Sequence, residues 1–191
     1  MRDFSKMSDS ELTTILKSDS KSSKEAAFAE IYNRYNNMVY NYCIKFLNNR
    51  NDAYDVFQDI FLNFIQYVNR EGSINNLKHF LLKSSRNSCI NYIKKHKEKV
   101  ELDLDKIDFY SEEIEYDKLD KLKYAISLLE PSLKEVTILR YYEDLSYEEI
   151  ANMINESLGV VRNRIYRGKK RIIEILEKLN KKNEKKIKIN K

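Results

Sequence analysis

The chain has 191 residues, enough for one ordinary domain or two small ones, with 34% charged residues and a formal net charge of +5. Its three glycines and single proline favour an almost wholly helical protein. No apolar run approaches membrane-spanning length, and the polar start "MRDFSKMSDS" lacks the apolar core of a signal peptide. We therefore expect a cytoplasmic protein that inserts into no membrane.

The charges are segregated along the chain. Residues 71–99 hold seven Lys or Arg against two Glu, and residues 158–191 hold thirteen Lys or Arg against three Glu. Between them, residues 101–120 hold nine Asp or Glu against two Lys. This order indicates two contacts with nucleic acid, separated by a segment that stays off it. Solvated helix faces would explain the individual charges but not their segregation.

Capping signals and apolar spacing predict four helices in the first half of the chain. Ser8 and Glu11 fit a capping box at the start of the first helix, and "SDSKSSK" at 18–24 is predicted to be a loop. "NNRND" at 48–52 interrupts the apolar spacing after the second helix. The expected helices run at about 9–17, 25–47, 52–69 and 75–97.

The predicted third helix has an apolar face and an unusual opposite face. The residues predicted to be buried are Ala53, Val56, Phe57, Ile60, Phe64 and Val68. The opposite face carries Asp55, Gln58, Leu62 and Gln66. An exposed leucine among carboxylate and amide groups is typical of a protein interface. Single exposed leucines are also common on helices that bind nothing.

The predicted fourth helix combines cations with an amide and an apolar group on one side. The residues expected to face the core are Leu77, Leu81, Ser85, Ser88 and Tyr92. The reverse face carries Lys83, Arg86, Asn87, Ile90, Lys94 and Lys97. Cations can bind phosphates while Asn and Ile meet an unstacked base, so this face suits a nucleic-acid strand. A solvated, lysine-rich surface is the alternative.

Two cysteines and two histidines form no recognisable metal site. Cys43 and Cys89 each lie in a helical pattern without a CxxC pair, so we expect buried thiols rather than a disulfide. His79 and His96 stand at no familiar ligand spacing from them, and we expect neither a metal nor a cofactor. The sequence contains no glycine-rich phosphate loop and no nucleophile elbow, so we do not expect an enzyme.

The second half of the chain begins with the acidic stretch and ends with a lysine-rich tail. Residues 100–120 are predicted to be a linker between a first domain at 1–99 and a second domain at 121–179. The tail at 180–191 is expected to be frayed.

The segment "LSYEEIANMINESLGVVRNRIYRGKKRI" at 145–172 predicts a helix-turn-helix. Ser146 and Glu149 fit a capping box for a short first helix. Residues 155–157 form the turn, in which Ser157 is the expected N-cap of the second helix.

The second helix of this motif has one apolar and one basic face. The residues predicted to be buried are Leu158, Val161, Ile165 and Ile172. The opposite face carries Gly159, Arg162, Asn163, Tyr166, Arg167 and Lys170. Amide and guanidinium groups can bind base edges, and cations can bind phosphates, so we expect this face to read the major groove of duplex DNA. The alternative is the solvated basic face of an ordinary helical hairpin.

Four blocks, in this order, resemble bacterial extracytoplasmic-function (ECF) sigma factors of the sigma-70 superfamily. The blocks are "FAEIYNRYNNMVY" at 28–40, "NDAYDVFQDIFLNF" at 51–64, "LKHFLLKSSRNSCINYIKKHK" at 77–97 and "LEPSLKEVTILRYYEDLSYEEIANMINESLGVVRNRIYRGKKRI" at 129–172. The resemblance covers about residues 9–178. It implies an all-α protein of two small helical domains, the sigma region 2 bundle at 1–99 and the sigma region 4 helix-turn-helix bundle at 121–179, joined by the linker.

The resemblance also implies three contact surfaces. The residues implied to bind core RNA polymerase are Asp55, Gln58 and Leu62, with Phe61 beside them. Those implied to meet the melted strand of the downstream promoter DNA are Arg86, Asn87, Asn91, Lys94 and Lys95, together with Lys83 and Ile90 of the same stripe. Those implied to read the upstream promoter element are Arg162, Asn163, Arg164, Tyr166 and Arg167, with Lys170 on the same face. The resemblance leaves open an anti-sigma factor as a further partner.

The chain departs from the family pattern at three positions. Phe80 stands where the family often has Trp, usually as packing, and Asn91 stands where it often has Asp. Val160 replaces a frequent Thr, whose hydroxyl could cap the helix or contact a phosphate, so the upstream sequence that is read does not follow from relatives. The size and the composition, rich in Lys, Asn, Ile and Tyr, are similar to those of clostridial toxin-gene sigma factors.

Two functions follow from these patterns. The first is an alternative sigma factor that binds core polymerase and directs promoter recognition and transcription initiation. The second is an ordinary helix-turn-helix regulator with an N-terminal domain for sensing or dimerisation. A regulator of that kind would not need both the Asp55–Gln58 helix and the basic Asn87 helix.

Overall fold

The computed structural model describes residues 3–18, 20–71, 74–96 and 118–189, of which 181–189 are described by their backbone alone. These residues form eight α-helices and a 3-10 turn at Phe4–Lys6, and none of them forms a strand. The chain groups into two compact units, Met1–Lys95 and His96–Lys191. The predicted all-α fold with two small helical domains is confirmed. Most of the predicted acidic linker lies outside the described residues.

The first four helices are α1 Asp9–Ser18, α2 Lys21–Leu47, α3 Arg50–Glu71 and α4 Leu77–His96. The prediction of a loop through residue 24 is wrong, because α2 already begins at Lys21. The hydroxyl of Ser20 accepts a hydrogen bond from the N–H of Ser23 at 3.4 Å, so the serine run caps the helix. Helix α3 also begins two residues before its predicted start, since the side-chain oxygen of Asn49 accepts hydrogen bonds from its first turn.

The last four helices are α5 Lys118–Ser127, α6 Pro131–Tyr141, α7 Tyr147–Ile154 and α8 Leu158–Ile189. Helix α5 begins three residues before the predicted start of the second domain. The sequence predicted a frayed tail, and its backbone is helical through Ile189. Lys and Glu are good helix formers, and the tail contains neither Gly nor Pro that would end the helix.

An aromatic cluster joins α2 to α3. The ring centroid of Tyr32 lies 5.0 Å from that of Phe61 and 6.0 Å from that of Phe57. Phe28 meets Phe61 edge-on at 6.2 Å. Large buried rings dominate the energetics of a small core. The cluster therefore fixes which side of α3 faces inward, and by exclusion which side faces solvent.

A polar cluster fastens α1 to α2. The guanidinium of Arg34 forms ion pairs with Asp9 at 3.1 Å and Glu30 at 2.7 Å, and the hydroxyl of Tyr35 donates a hydrogen bond to Asp9 at 2.5 Å. Burial, followed by the bond to Asp9, raises the pKa of Tyr35 well above its usual value. The first unit is thus anchored at its N-terminal end by partly buried charges, which are screened less than exposed ones.

Helix α6 is the centre of the second unit. Its residues 133–139 are all buried, including the ionisable side chains of Lys134 and Glu135. The α6–α7 loop is held by Arg140, which donates to the carbonyl of Leu145 at 2.8 Å and lies 5.3 Å over the ring of Tyr147. These contacts hold the start of the helix-turn-helix against the buried helix.

Candidate functional site

Helix α3 presents a compact exposed stripe opposite its buried face. All six residues predicted to be buried on this helix are buried, which confirms that prediction. The side chains of Asp55, Gln58, Leu62 and Gln66 are exposed, and Leu62 is 58% exposed. An aliphatic side chain is therefore held in solvent between a carboxylate and amides, where a partner surface could cover it.

Phe61 differs from the prediction that it contacts polymerase. Its side chain is only 4% exposed and packs against Phe28, Tyr32 and Phe57. A buried ring cannot contact a partner in this conformation, so Phe61 supports the exposed stripe from behind. The sequence did not show whether Phe61 is buried or exposed to a partner, because Phe61 lies beside Leu62 at the edge of the apolar face.

Tyr54 is an exposed residue of α3 to which the sequence pattern gave no role. Its ring is more than half exposed and stacks on Phe57 with a centroid distance of 6.2 Å. Positions 54, 58 and 62 follow one another at four-residue steps, so Tyr54 extends the row of Gln58 and Leu62 by one turn. This four-residue spacing is visible in the sequence and could have placed Tyr54 on the same face as Gln58 and Leu62.

Helix α4 presents the expected basic stripe. Exposed on it are Lys83, Asn87, Asn91, Lys94 and Lys95, whereas Arg86 and Ile90 are half-buried. The guanidinium of Arg86 donates to the side-chain oxygen of Asn87 at 3.1 Å, which orients the amide. Lys97 lies outside the described residues. Cations and amides thus share one surface with a partly accessible isoleucine.

The buried face of α4 is rotated relative to the prediction. Leu77, Leu81 and Ser85 are buried as expected, but Ser88 and Tyr92 are only half-buried. Leu82 and Cys89 are buried instead. Leu82 and Cys89 bury more apolar surface than Ser88 can, so they take the interior positions.

Helices α3 and α4 run antiparallel. Near the start of α4, the ring of Phe80 lies 4.7 Å from that of Tyr67 towards the end of α3. Near the end of α4, hydrogen bonding to Asp52 at the start of α3 raises the pKa of Tyr92. The basic stripe of α4 therefore lies level with Asp55 and Gln58 of α3.

The two cysteines pack together inside the first unit. Cys43 and Cys89 are both fully buried thiols, as predicted. A hydrogen bond to Cys43, together with burial, raises the pKa of Cys89 far above its usual value, which keeps it protonated and unreactive. Among the described residues, no group of three His, Cys, Asp or Glu side chains could hold a metal ion.

The helix-turn-helix of α7 and α8 has the predicted caps. The hydroxyl of Ser146 accepts from the N–H of Glu149 at 3.1 Å, and the Glu149 carboxylate accepts from the N–H of Ser146 at 2.8 Å. Asn155 takes the left-handed conformation, with φ 56°, and ends α7. The hydroxyl of Ser157 accepts from the N–H of Val160 at 3.3 Å and starts α8. The turn is therefore fixed on both sides.

The basic face of α8 is exposed with one exception. Exposed on it are Gly159, Arg162, Asn163, Tyr166, Arg167 and Lys170. Val161 and Ile165 are buried as predicted, whereas Leu158 and Ile172, also predicted to be buried, are only half-buried. Arg164, which was also predicted to read DNA, is half-buried and forms an ion pair with Glu156 of the turn.

Fold and site together define a two-unit helical protein with a helix-turn-helix in its second unit. Two family models match the chain, sigma-70 region 2 at residues 31–99 and sigma-70, region 4 at residues 119–172. The chain belongs to the sigma-70 family of RNA polymerase sigma factors. Several of its relatives are ECF members of that family.

Several relatives come from Bacillus subtilis (strain 168), among them SigV and SigW. The chain is 29% identical to RNA polymerase sigma factor SigV over 69% of its own length and 80% of that protein. It is 27% identical to ECF RNA polymerase sigma factor SigW over 83% of its own length and 94% of that protein. Both relatives are thus matched over most of their length.

Two solved structures share the fold. One is the sigma factor RpoE in complex with the anti-sigma factor NepR from Bartonella quintana, with a TM-score of 0.62 and 22% identity over 78% of this chain and 96% of that one. The other is CnrH in complex with the cytosolic domain of CnrY, with a TM-score of 0.64 and 18% identity over 88% of this chain and 97% of that one. In the described part of the chain, no helix is long and apolar enough to cross a membrane.

Proposed function

We propose that this sigma factor directs promoter-specific initiation through three surfaces, one for polymerase and two for DNA. The exposed stripe of α3 docks on core RNA polymerase, the basic stripe of α4 holds an unpaired promoter strand, and the outer face of α8 reads an upstream duplex. The observation that carries the proposal is the pairing of α3 and α4. An acidic and amide stripe with an exposed leucine lies level with a basic, amide-bearing stripe on the antiparallel neighbour.

The chemistry of each surface supports its assignment. Leu62 supplies an apolar anchor, and Asp55 and Gln58 supply the polar rim of a small interface. On α4, the lysines can neutralise phosphates while Asn87 and Ile90 meet a base that is no longer stacked in a duplex. On α8, amide and guanidinium groups are presented together on a helix exposed for major-groove entry.

The alternative is a regulator that binds duplex DNA through α7 and α8 and uses its first unit to sense a ligand or to dimerise. Such a protein needs one nucleic-acid surface, whereas this chain carries cationic and amide stripes in both units. The names of the curated relatives also favour the sigma factor. We further propose that the protein has no catalysis of its own and acts in the cytoplasm.

The proposal includes control by an anti-sigma factor, because one of the solved structures with this fold is a sigma factor in complex with the anti-sigma factor NepR. Membership of the clostridial toxin-gene branch rests on size and composition alone and stays a prediction.

Reconstitution with core polymerase tests the proposal. The purified chain should form a stable complex with core enzyme and start transcription at promoters that core enzyme alone ignores. The isolated chain should bind duplex weakly, since its two DNA-binding units cooperate fully only when core polymerase holds them at a fixed separation. Tight, sequence-specific duplex binding without core enzyme, together with no core complex, would favour the regulator instead.

A further inference from the structure

Arg164 and Glu156 form a bridge across the helix-turn-helix. The Nη2 atom of Arg164 lies 2.7 Å from Oε1 of Glu156, eight residues earlier in the chain. The two side chains are 25% and 37% exposed, so the contact is partly shielded from solvent. A charge-assisted bond of this length is among the stronger polar contacts of a protein surface.

The position of Arg164 on the helix separates it from the reading face. At about 100° per residue, Arg162, Asn163, Tyr166 and Arg167 span an arc of about 140°. Arg164 falls about 130° from the middle of that arc, on the flank between the reading face and the buried face of Val161 and Ile165. An arginine on this flank points along the protein surface towards the turn rather than outwards.

Glu156 occupies a position where it can fix the turn. Its own N–H donates to the carbonyl of Ala151 at 3.0 Å, which closes the end of α7 after the left-handed Asn155. Its carboxylate then reaches Arg164, nearly two turns into α8. The ion pair therefore connects the end of one helix with the body of the next, across a junction of three residues.

We propose that Arg164 is a positioning residue that does not read DNA, and that its ion pair with Glu156 sets the angle at which α8 enters the major groove. This inference rests on the proposed function of α8. It narrows the residues that read sequence to the exposed face with Arg162, Asn163, Tyr166 and Arg167. A change in the angle of α8 would move all of these side chains relative to the base edges at once.

The sign of the effect of Glu156→Gln distinguishes the two roles. If Arg164 contacted DNA directly, removing the neighbouring carboxylate would free the guanidinium and reduce repulsion of phosphates, so binding would tighten. If the pair positions α8, the same change weakens recognition. Loss of a direct phosphate contact also lowers the salt slope of binding by about 0.9, whereas loss of a positioning contact leaves the slope unchanged.

The experiment uses reconstituted holoenzyme and a promoter that the wild-type holoenzyme has selected from a random duplex pool. Arg164→Ala and Glu156→Gln should each weaken binding to this promoter roughly threefold to tenfold, with an unchanged salt slope and unchanged affinity for a scrambled upstream element. The double variant should bind the promoter no more weakly than the more weakly binding of the two single variants, since both substitutions break the same contact. Thermal unfolding of each variant shows whether the fold persists. If Arg164→Ala does not fold, Glu156→Gln still tests the ion pair, because it leaves the arginine in place.

Two further variants calibrate the result. Arg171 on the same helix is paired with Glu174 at 3.1 Å, and Arg171→Ala should leave promoter selectivity unchanged. Arg162→Ala should reduce promoter selectivity. The inference is overturned if Glu156→Gln tightens binding or leaves it unchanged. If Arg162→Ala and Arg167→Ala also have no effect, the assignment of α8 as a DNA reader fails as well, which is a separate outcome.

Discussion

Gly168 of α8 faces Thr137 of α6 so closely that a Cβ on the glycine would lie 2.9 Å from Oγ1 of the threonine. Thr137 cannot easily move away, because it is buried and donates a hydrogen bond to the carbonyl of Leu133 at 2.7 Å. We expect Gly168→Ala to lower the free energy of unfolding of the second unit by about 1–3 kcal/mol, the usual cost of overpacking. Urea unfolding followed by circular dichroism measures it.

Gly159 provides the matched control on the same helix. A Cβ there meets only the hydroxyl of Ser157, at 3.9 Å. Gly159→Ala should therefore leave stability unchanged or slightly raised, because the added methyl group meets no close neighbour and alanine is the better helix former. Equal effects of the two substitutions would contradict the close approach of α8 to α6.

Leu62 tests the polymerase surface. Leu62→Asp should weaken binding to core polymerase by about tenfold or more, because it places a charge where an apolar anchor is proposed. The fold should persist, since the side chain is 58% exposed. Titration of labelled protein with core enzyme gives the affinity, and Asp55→Ala with Gln58→Ala should lower it in the same direction.

Leu119 is the control for this substitution. It is 54% exposed, nearly as much as Leu62, but lies at the start of α5 in the other unit. Leu119→Asp should leave core affinity near the wild-type value. A folded Leu62→Asp variant with wild-type affinity for core polymerase would remove the assignment of α3 as the docking surface.

Lys134 should make the stability of the protein depend on pH in the alkaline range. Burial lowers the pKa of its ammonium from 10.5 to about 8. Between these values the unfolded chain binds more protons than the folded chain, so stability rises as pH rises from about 8 to 10.5. Below about pH 8 both forms are charged, and the folded protein carries the full cost of burying the cation, which is about 3 kcal/mol at most.

Substitution by methionine isolates this effect. Lys134→Met should stabilise the protein at pH 7 by roughly 1–3 kcal/mol, and the gain should shrink towards pH 10. The measurement is urea unfolding of both proteins at pH 7, 8.5 and 10. A difference that does not change with pH would mean that the side chain is not charged and desolvated in the folded state.

The sequence predicted the faces of a helix well where that helix packs against its neighbours with one side only. The buried and exposed sides of α3 and the exposed face of α8 agree with the structure, because a period of 3.6 residues places each side chain on one side or the other. On the apolar face of α8 the agreement is partial, since Leu158 and Ile172 are only half-buried. Side chains on a flank are different. Phe61 and Arg164 each stand at the boundary between two faces, and only the neighbouring helix or turn decides whether they are covered.

Short sequence patterns at the ends of helices were also compatible with two different structures. The serine run after α1 is as typical of a loop as of an N-cap, and only the hydrogen bond of Ser20 to Ser23 distinguishes them. The bridge between Arg164 and Glu156 could not be predicted, because it depends on the angle between two helices rather than on spacing within one. The contacts of the site residues with polymerase and DNA stay predictions.

The two DNA surfaces should be separable by the kind of DNA that each one binds. Arg162 and Arg167 lie on the exposed face of α8, so alanine at either should weaken recruitment to duplex promoters by roughly tenfold, the loss expected for one base contact. Opening of a promoter that is already unpaired downstream should remain nearly intact. Asn87 lies on the basic stripe of α4, and Asn87→Ala should have the reverse effect.

With Asn87→Ala, closed complexes should form at the wild-type level, but the unpaired strand should not be held. Capture of an unstacked base is worth about 1–3 kcal/mol, so the open fraction should fall by roughly five- to a hundredfold. The assay compares holoenzyme on duplex and mismatched-bubble templates, with permanganate footprinting of unpaired thymines. Premelting the downstream DNA should only partly rescue Asn87→Ala, because Asn87 is proposed to hold the unpaired strand after the two strands have separated. A parallel loss of both activities in both sets of variants would mean that the two helices do not divide recognition in this way.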